Sequence, residues 1–385
     1  MYSALGLDGN GWMIRNAVFL SQHVLESRRR AGMHFLARAY RDAGWRVTFV
    51  TVGLSPLARL GGDTRLADAP LDVRNRLVEV EPGLTQFVWM APLHPRNAQR
   101  RWLNALTGSI FARYPAFMPK ALRAVLADAD HVVVESAAGV MLVPRIRREN
   151  PRARLIYRVS DDLRVLGAHP VVLDAERIAL PQFSIISIPS SKLADRFPGL
   201  DTVRHHPHGL DTAVFAKSTV SPYAPGERAV ISVGTMLFDP ASALTVCQAR
   251  PDLRVHFFGA LGDKPSAENA VHHGEQPFAD LVAYMQHAVL GAAFYRSTPG
   301  SAYLADTSNK MMQYAACRLP ILAPDFVAGG QDHIFGYRPD DTGSIAQALD
   351  AALNANRDGL PFPAALSWDA VAAAIIADAE AEDSR

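Results

Sequence analysis

Tyr303-Leu304-Ala305-Asp306-Thr307-Ser308-Asn309-Lys310 is the stretch of this chain best suited to hold an anion. Asp306, Thr307, Ser308 and Asn309 are all residue types that cap helix N-termini, and Lys310 opens a run that reads as helix. Apolar residues recur at Met311, Met312, Ala315 and Ala316, which predicts one buried helical face. Leu319-Pro320 ends the run before a short buried strand, Ile321-Leu322-Ala323. A helix start offers N–H groups without intrahelical partners, and a lysine beside it adds a full positive charge. Together they suit a phosphate or diphosphate. An ordinary capped helix of an α/β domain has the same pattern, so the rest of the chain decides. Gly234-Thr235-Met236-Leu237-Phe238-Asp239-Pro240 follows a predicted strand and lets backbone approach a ligand, a weak signal by itself. Neither GxGxxG nor GxxxxGK[ST] occurs, which removes most support for a nicotinamide enzyme or a P-loop NTPase.

The elements that must position these residues alternate. Strands are expected at Ala17–Leu20, Val47–Val52, Gln86–Met90, His131–Glu135, Leu155–Val159 and Ile185–Ile188, with an amphipathic helix from Arg30 to Ala43 ended by Gly44. The pattern restarts at Ala229–Gly234 and continues through Val255–Gly259, Leu290–Tyr295 and Ile321–Ala323. Strands separated by helix-length segments imply parallel sheets with crossover helices, hence two α/β, Rossmann-like domains with ligands at the carboxyl ends of their strands, facing a cleft. The expected organisation is a domain over residues 1–210, a linker over 211–228 around Pro222, Pro225 and Gly226, a second domain over 229–362, and a C-terminal helix over 363–385 that packs back on the first domain and frays at its end.

At 385 residues the chain can build two cores. An apolar content of 49% with 20% charged residues is that of a soluble globular protein. Two distant cysteines, Cys247 and Cys317, form neither a disulfide framework nor a metal cluster. The N-terminal stretch lacks the basic start and apolar core of a signal peptide, and no apolar run approaches the roughly 20 residues needed to cross a bilayer. A cytoplasmic location is therefore expected. The net charge of +1 hides an asymmetry: residues 1–210 hold 28 Lys/Arg against 18 Asp/Glu, whereas 211–385 hold 11 against 20. A basic first half suits an anionic partner. A nucleic-acid binder would use it too, but no nucleic-acid motif is present and the acidic half opposes one.

Several segments together resemble a GT-B glycosyltransferase, and specifically the glucuronosyltransferases of xanthan-type exopolysaccharide assembly. They are Phe87 to Trp102 around His94-Pro95 and Arg100-Arg101-Trp102, Val134-Glu135-Ser136, Tyr157-Arg158-Val159-Ser160-Asp161, His205 with His208-Gly209-Leu210-Asp211, Ser221-Pro222-Tyr223-Ala224, Gly234 to Pro240, and Tyr303 to Tyr314. The resemblance runs in order from about residue 15 to 370. It implies transfer of glucuronate from UDP-glucuronate to a mannose on a polyprenyl-diphosphate-linked oligosaccharide, with inversion and without a metal or other cofactor. Such a displacement needs a base for the acceptor hydroxyl and a stabilised leaving diphosphate. The resemblance places the base at Asp161. Its neighbour Asp162 leaves two further readings open, an acidic metal motif or a helix N-cap at Ser160 or Asp161.

On the donor side the resemblance puts Met236, Tyr295 and Met311 near the nucleotide, with Lys310 and Ser308 at the diphosphate; core packing is an equal reading for both methionines. Gln313 stands where related enzymes often carry a ribose-binding glutamate, and can still hydrogen-bond a hydroxyl. The glucuronate carboxylate calls for a cation, either Lys310 or Arg296, the latter where the family pattern has a small residue. On the acceptor side, residues 94–124 interleave Arg96, Arg100, Arg101, Arg113, Lys120 and Arg123 with Trp102, Leu103, Leu106, Ile110, Phe111, Tyr114, Phe117 and Met118. That mixture suits an anionic membrane surface at the inner face of the plasma membrane; a core-packed helix with a solvated basic face is the competing reading. Arg28, Arg29 and Arg30 suit the carrier diphosphate or a solvated helix start, and His34 either faces the acceptor or is buried and satisfied. A non-hydrolysing nucleotide-sugar epimerase shares the fold and is the alternative activity, as is the same transfer from another UDP-sugar.

Overall fold

The Val-, Ile- and Phe-rich runs form the central strands of two sheets. The computed structural model describes residues 14–27, 30–56, 63–297 and 304–381; Arg28, Arg29 and Tyr303 lie outside them. The chain divides at Pro207/His208 and at Ser367/Trp368 into two compact units.

Among the described residues the first unit holds eight strands: β1 (Asn16–Ser21), β2 (Arg46–Leu54), β3 (Leu77–Glu81), β4 (Leu84–Met90), β5 (His131–Glu135), β6 (Arg154–Arg158), β7 (Ile185–Ile188) and β8 (Val203–His205), in the order β3-β4-β2-β1-β5-β6-β7-β8. All neighbours run parallel except the β3–β4 hairpin. β5 is buried along its whole length because helices cover both faces of a parallel sheet. The helix Gly32–Asp42 buries Met33, Leu36, Ala37 and Tyr40 on β1 and β2, and Gly44 (φ 89°) turns the chain out of it. The helix Trp368–Ala381 adds Trp368, Val371 and Ile375 to that core, with Trp368 stacked on Phe35 at 5.8 Å. Each such side chain contributes roughly 1.5–3 kcal/mol when fully buried. A hydrogen bond of 3.1 Å between His206 Nε2 and Asp378 ties the helix to the end of β8.

The second unit is a six-stranded parallel sheet: β9 (Ala229–Val233), β10 (Arg254–Phe258), β11 (Ala270–Gly274), β12 (Leu290–Ala292), β13 (Ile321–Pro324) and β14 (Ile334–Tyr337), ordered β11-β10-β9-β12-β13-β14. Residues 211–228, where two prolines and a glycine predict a linker, are packed within this unit. Tyr223 donates its hydroxyl to the Tyr284 carbonyl at 2.8 Å, and Phe215 meets Phe278 edge-on. β12 ends at Ala292, earlier than the sequence predicts, because Phe294 and Tyr295 pair with the loop after β9 instead: Asp239 N–H donates to the Phe294 carbonyl and Phe238 bridges Tyr295.

Candidate active site

In the second unit the carboxyl ends of β9 and β12 meet the helix Asn309–Ala316, whose Tyr314 hydroxyl accepts from the Val233 N–H and donates to the Ala292 carbonyl. Ser308 caps that helix, its hydroxyl accepting from the Met311 N–H at 3.3 Å. The same hydroxyl shares a 2.7 Å hydrogen bond with the Tyr295 hydroxyl, which fixes the cap to the strand end. Lys310 folds its stem toward the sheet, so that its ammonium lies 4.6 Å from the Tyr295 ring centre. A Cβ placed on Gly234 (φ 86°) would stand 3.7 Å from the lysine Cε, so the glycine leaves the chain room beside that ammonium. Gly259 (φ 125°) admits no side chain at all, since its Cβ would meet Thr235 Cγ2 at 2.8 Å. Part of the Lys310 stem reaches solvent, but the ammonium nitrogen is buried and has no hydrogen-bond partner among the described residues. Burial alone pulls it down to about 8. A buried ammonium held against an aromatic face and beside Gly234 has the chemistry to receive an anion.

The other donor-side candidates separate. Met311 belongs to the core, 4% exposed, because the helix turns it inward with Tyr314 and Ala315. This corrects the expected apolar face: Tyr314, rather than Met312 or Ala316, is its centre, and it presses so close to Gly291 that a Cβ there would meet its ring at 2.5 Å. Met236 is 54% exposed on the loop after β9. Gln313 is half-buried one turn beyond Lys310. Arg296 is exposed, pairs with Asp263 at 3.4 Å, and is held at its backbone by the Leu237 carbonyl.

In the first unit the neighbouring strands β1, β5 and β6 deliver Ser21, Glu135 and Asp161 to one edge. Ser136 Oγ accepts from the Ser160 and Asp161 N–H groups at 3.1 and 3.0 Å, which shapes the turn leaving β6. The Asp161 carboxylate itself is half-buried and makes no hydrogen bond among the described residues. Burial and the nearby Glu135 charge push its carboxyl up to about 6, with His23 acting the other way. Glu135 is fully buried and accepts from Ser21 Oγ (2.6 Å), Gln22 N–H (3.1 Å) and Ser160 Oγ (2.9 Å), with His23 Nε2 at 3.5 Å. Burial works to raise the Glu135 carboxyl, but His23 and the hydroxyl donors outweigh it and hold it low. Asp161 caps no helix: a turn follows, and the next helix starts at Pro170 behind a His169 cap. Nor does Asp162 face the same way as a co-ligand, since its carboxylate binds Arg164 and Arg196, each at 3.0 Å. Glu135 and His23 carried no assigned role in the sequence; Glu135-Ser136 stands there only as part of a resembling segment.

His34 does not face a ligand. It is wholly buried, with Nδ1 accepting from Ala31 N–H at 2.8 Å and Nε2 against the Val24 carbonyl at 2.9 Å, and burial lowers it to about 4. It is the polar cap of its own helix. Arg30 is exposed just before that helix. A cleft of about 250 Å³ lies in this unit, lined among others by Ser136, Arg65, His94, Asn97 and His169. Beside it runs the helix Arg101–Phe111, joined by a Thr107–His169 contact of 3.2 Å. Asn104 is the buried residue of that helix, while Trp102, Leu106 and Ile110, one stripe at four-residue spacing, are 59%, 66% and 47% exposed. Arg100 and Arg101 are exposed at its start. The apolar stripe therefore points outward, opposite to a core-packed helix. No helix among the described residues is long and apolar enough to cross a membrane.

Residues 19–189 match the family described as "Glucuronosyltransferase GumK, N-terminal domain". Over 352 residues the chain is 34% identical to the UDP-glucuronate:glycolipid 2-beta-glucuronosyltransferase of Xanthomonas campestris pv. campestris, spanning 91% of this chain and 86% of that protein. Among solved structures it is similar to the UDP-forming alpha,alpha-trehalose-phosphate synthase of Burkholderia vietnamiensis, with a TM-score of 0.58, 12% identity and coverage of 96% and 94% of the two chains. It is likewise similar to the N-terminal domain of Candida albicans trehalose-6-phosphate phosphatase, with a TM-score of 0.58, 12% identity and coverage of 95% and 97%. At such identity the likeness is one of fold: two Rossmann-like α/β domains of the GT-B type.

Proposed function

The chain belongs to the GumK family of glucuronosyltransferases, and on that premise we propose that it moves glucuronate from UDP-glucuronate to the mannose of a polyprenyl-diphosphate-linked oligosaccharide in exopolysaccharide assembly. Asp161 takes the proton of the attacking mannose hydroxyl. The oxygen closes on the anomeric carbon as its bond to the diphosphate breaks, the bonding pair leaves with UDP, and the product is the inverted β-glucuronide. The observation that carries this reading is the half-buried Asp161 carboxylate, which makes no hydrogen bond among the described residues and is raised to about 6, where it is ionised at neutral pH yet still basic.

Lys310 and the N-terminus of its helix meet the charge of the leaving diphosphate, so the reaction proceeds without a metal. A buried ammonium with no hydrogen-bond partner among the described residues supports that assignment. Gln313 serves the ribose, Met236 borders the nucleotide, and Lys310 or Arg296 reads the glucuronate carboxylate. On the acceptor side the 250 Å³ cleft takes the sugar end, and Trp102, Leu106 and Ile110 with Arg100 and Arg101 lie on an anionic leaflet at the cytoplasmic face of the plasma membrane. Each basic residue there contributes about 1 kcal/mol. The test is transfer to a membrane-extracted lipid-linked mannosyl oligosaccharide with UDP-glucuronate and UDP-glucose side by side, with EDTA present. Glucuronate incorporation alone supports the reading; preference for glucose replaces the donor; loss of activity with EDTA removes the metal-free mechanism.

A further inference from the structure

Glu135 is a fully buried carboxylate beside Asp161, and donors from its own fold occupy both of its oxygens. One oxygen accepts from Ser21 Oγ and the Gln22 N–H, the other from Ser160 Oγ, with His23 Nε2 3.5 Å away. Through Ser160 it grips the residue before Asp161, while Ser136, the residue after Glu135, holds the Asp161 N–H. A buried carboxylate with its acceptor sites filled is a fixed negative charge.

We propose that Glu135, partnered by His23, is the positioning residue that sets how strong a base Asp161 is. The proposal rests on Asp161 acting as the base. The charge of Glu135 disfavours ionisation of Asp161, so the proton is held more tightly once taken from the acceptor; the His23 imidazolium offsets part of that push. His23 is 31% exposed, so its charge follows the solvent pH. The groups facing the pair are few. His23 meets Glu135 from β5, Asp161 from the end of β6, Arg65 from the segment after β2, and the His34 ring at 5.5 Å from the helix Gly32–Asp42. Glu135 also meets the buried Arg158 of β6. Burial lowers His34 to about 4, whereas at His23 burial is outweighed by the Glu135 partner, which raises it; this leaves His23 as the imidazole that titrates beside Glu135.

The test is the pH profile of kcat/KM for the full chain with UDP-glucuronate and extracted lipid-linked mannosyl oligosaccharide, together with the infrared carboxyl band that disappears in Asp161→Asn. In Glu135→Gln the acid limb and the Asp161 band both move to lower pH, by roughly one unit. In His23→Gln both move to higher pH. Opposite shifts are what tuning by charge requires; a merely structural role lowers the rate and moves neither. Unmoved limbs and band in both variants, or movement in the same direction, overturn the proposal. If Glu135→Gln does not fold, the half-buried His23→Gln decides by its upward shift or its absence. The infrared band titrates without turnover, so failure of Asp161 as base, seen as full activity in Asp161→Asn, is read separately.

Discussion

Lys310 and Tyr295 are held as a unit: the lysine ammonium lies 4.6 Å from the tyrosine ring centre, while the tyrosine hydroxyl hydrogen-bonds Ser308, the cap of the lysine's own helix. An aromatic face returns about 0.5–2 kcal/mol to a cation, less than the several kcal/mol that drying an ammonium costs. The deficit is removed when an anion arrives. Lys310→Met should therefore raise the melting temperature of the protein without nucleotide while weakening UDP binding by roughly 10–100-fold, the range of a charge-assisted contact. Calorimetry with and without UDP checks both signs. Equal stability and equal affinity would take Lys310 out of the phosphate site.

Tyr295→Phe keeps the ring beneath Lys310 and removes only the hydroxyl that steadies Ser308. The expected loss is about 0.5–1.5 kcal/mol of stability, with a similar loss in UDP affinity, measured by denaturant unfolding and by titration. A change confined to stability would mean that the cap orders the helix without shaping the donor site.

Two titrations bound the useful pH range from opposite sides. Lys310 lowered to about 8 is charged below that value, so UDP affinity should fall as pH rises through about 8, and binding near pH 8 should take up a proton. Calorimetric titration in buffers of different ionisation heat detects that uptake. Asp161 raised to about 6 is a base only when ionised, so kcat/KM should fall as pH drops through about 6. Affinity for UDP-glucuronate, whose diphosphate has no terminal phosphate to titrate at about pH 6, should stay level across that acid range, which separates the two groups.

Much of this was legible in the chain, unevenly. Strands such as His131–Glu135 and Ile185–Ile188 are buried throughout and rich in Val and Ile because both faces are covered, and composition alone marks them. β3, β8, β11 and β14 escaped notice. They are the short edge strands of the two sheets, and Leu77-Val78-Glu79-Val80-Glu81 or Ala270-Val271-His272-His273-Gly274 carry polar residues that read as loop. The Ser308–Lys310 candidate site was visible because cap, lysine and helix are contiguous. The Glu135 cluster was not: Ser21 and Glu135 are 114 residues apart and meet only because β1 and β5 are neighbours. At His34 the sequence left two readings open, a ligand contact or a buried and satisfied ring, and the structure selects the second, since the ring caps the backbone of its own helix.

The outward stripe of the helix Arg101–Phe111 makes a prediction that needs no substrate. Trp102→Ser combined with Leu106→Ser should reduce partition onto anionic phospholipid vesicles, and Arg101→Gln should reduce it further in a salt-dependent way, by about 1 kcal/mol. Because these side chains are exposed, the melting temperature should hold within the small change expected of surface sites. Vesicle cosedimentation at two salt concentrations measures this. Unchanged partition would remove the helix from the membrane.

The most direct measurement of the whole account is single-turnover transfer by Asp161→Asn beside UDP affinity in the same preparation. Asparagine keeps the shape of the side chain and cannot take the mannose proton. The account predicts a rate lowered by roughly 10²–10⁴-fold with UDP affinity unchanged. A variant that transfers glucuronate at the wild-type rate, or one that loses UDP binding along with transfer, would contradict the assignment of Asp161 as the base.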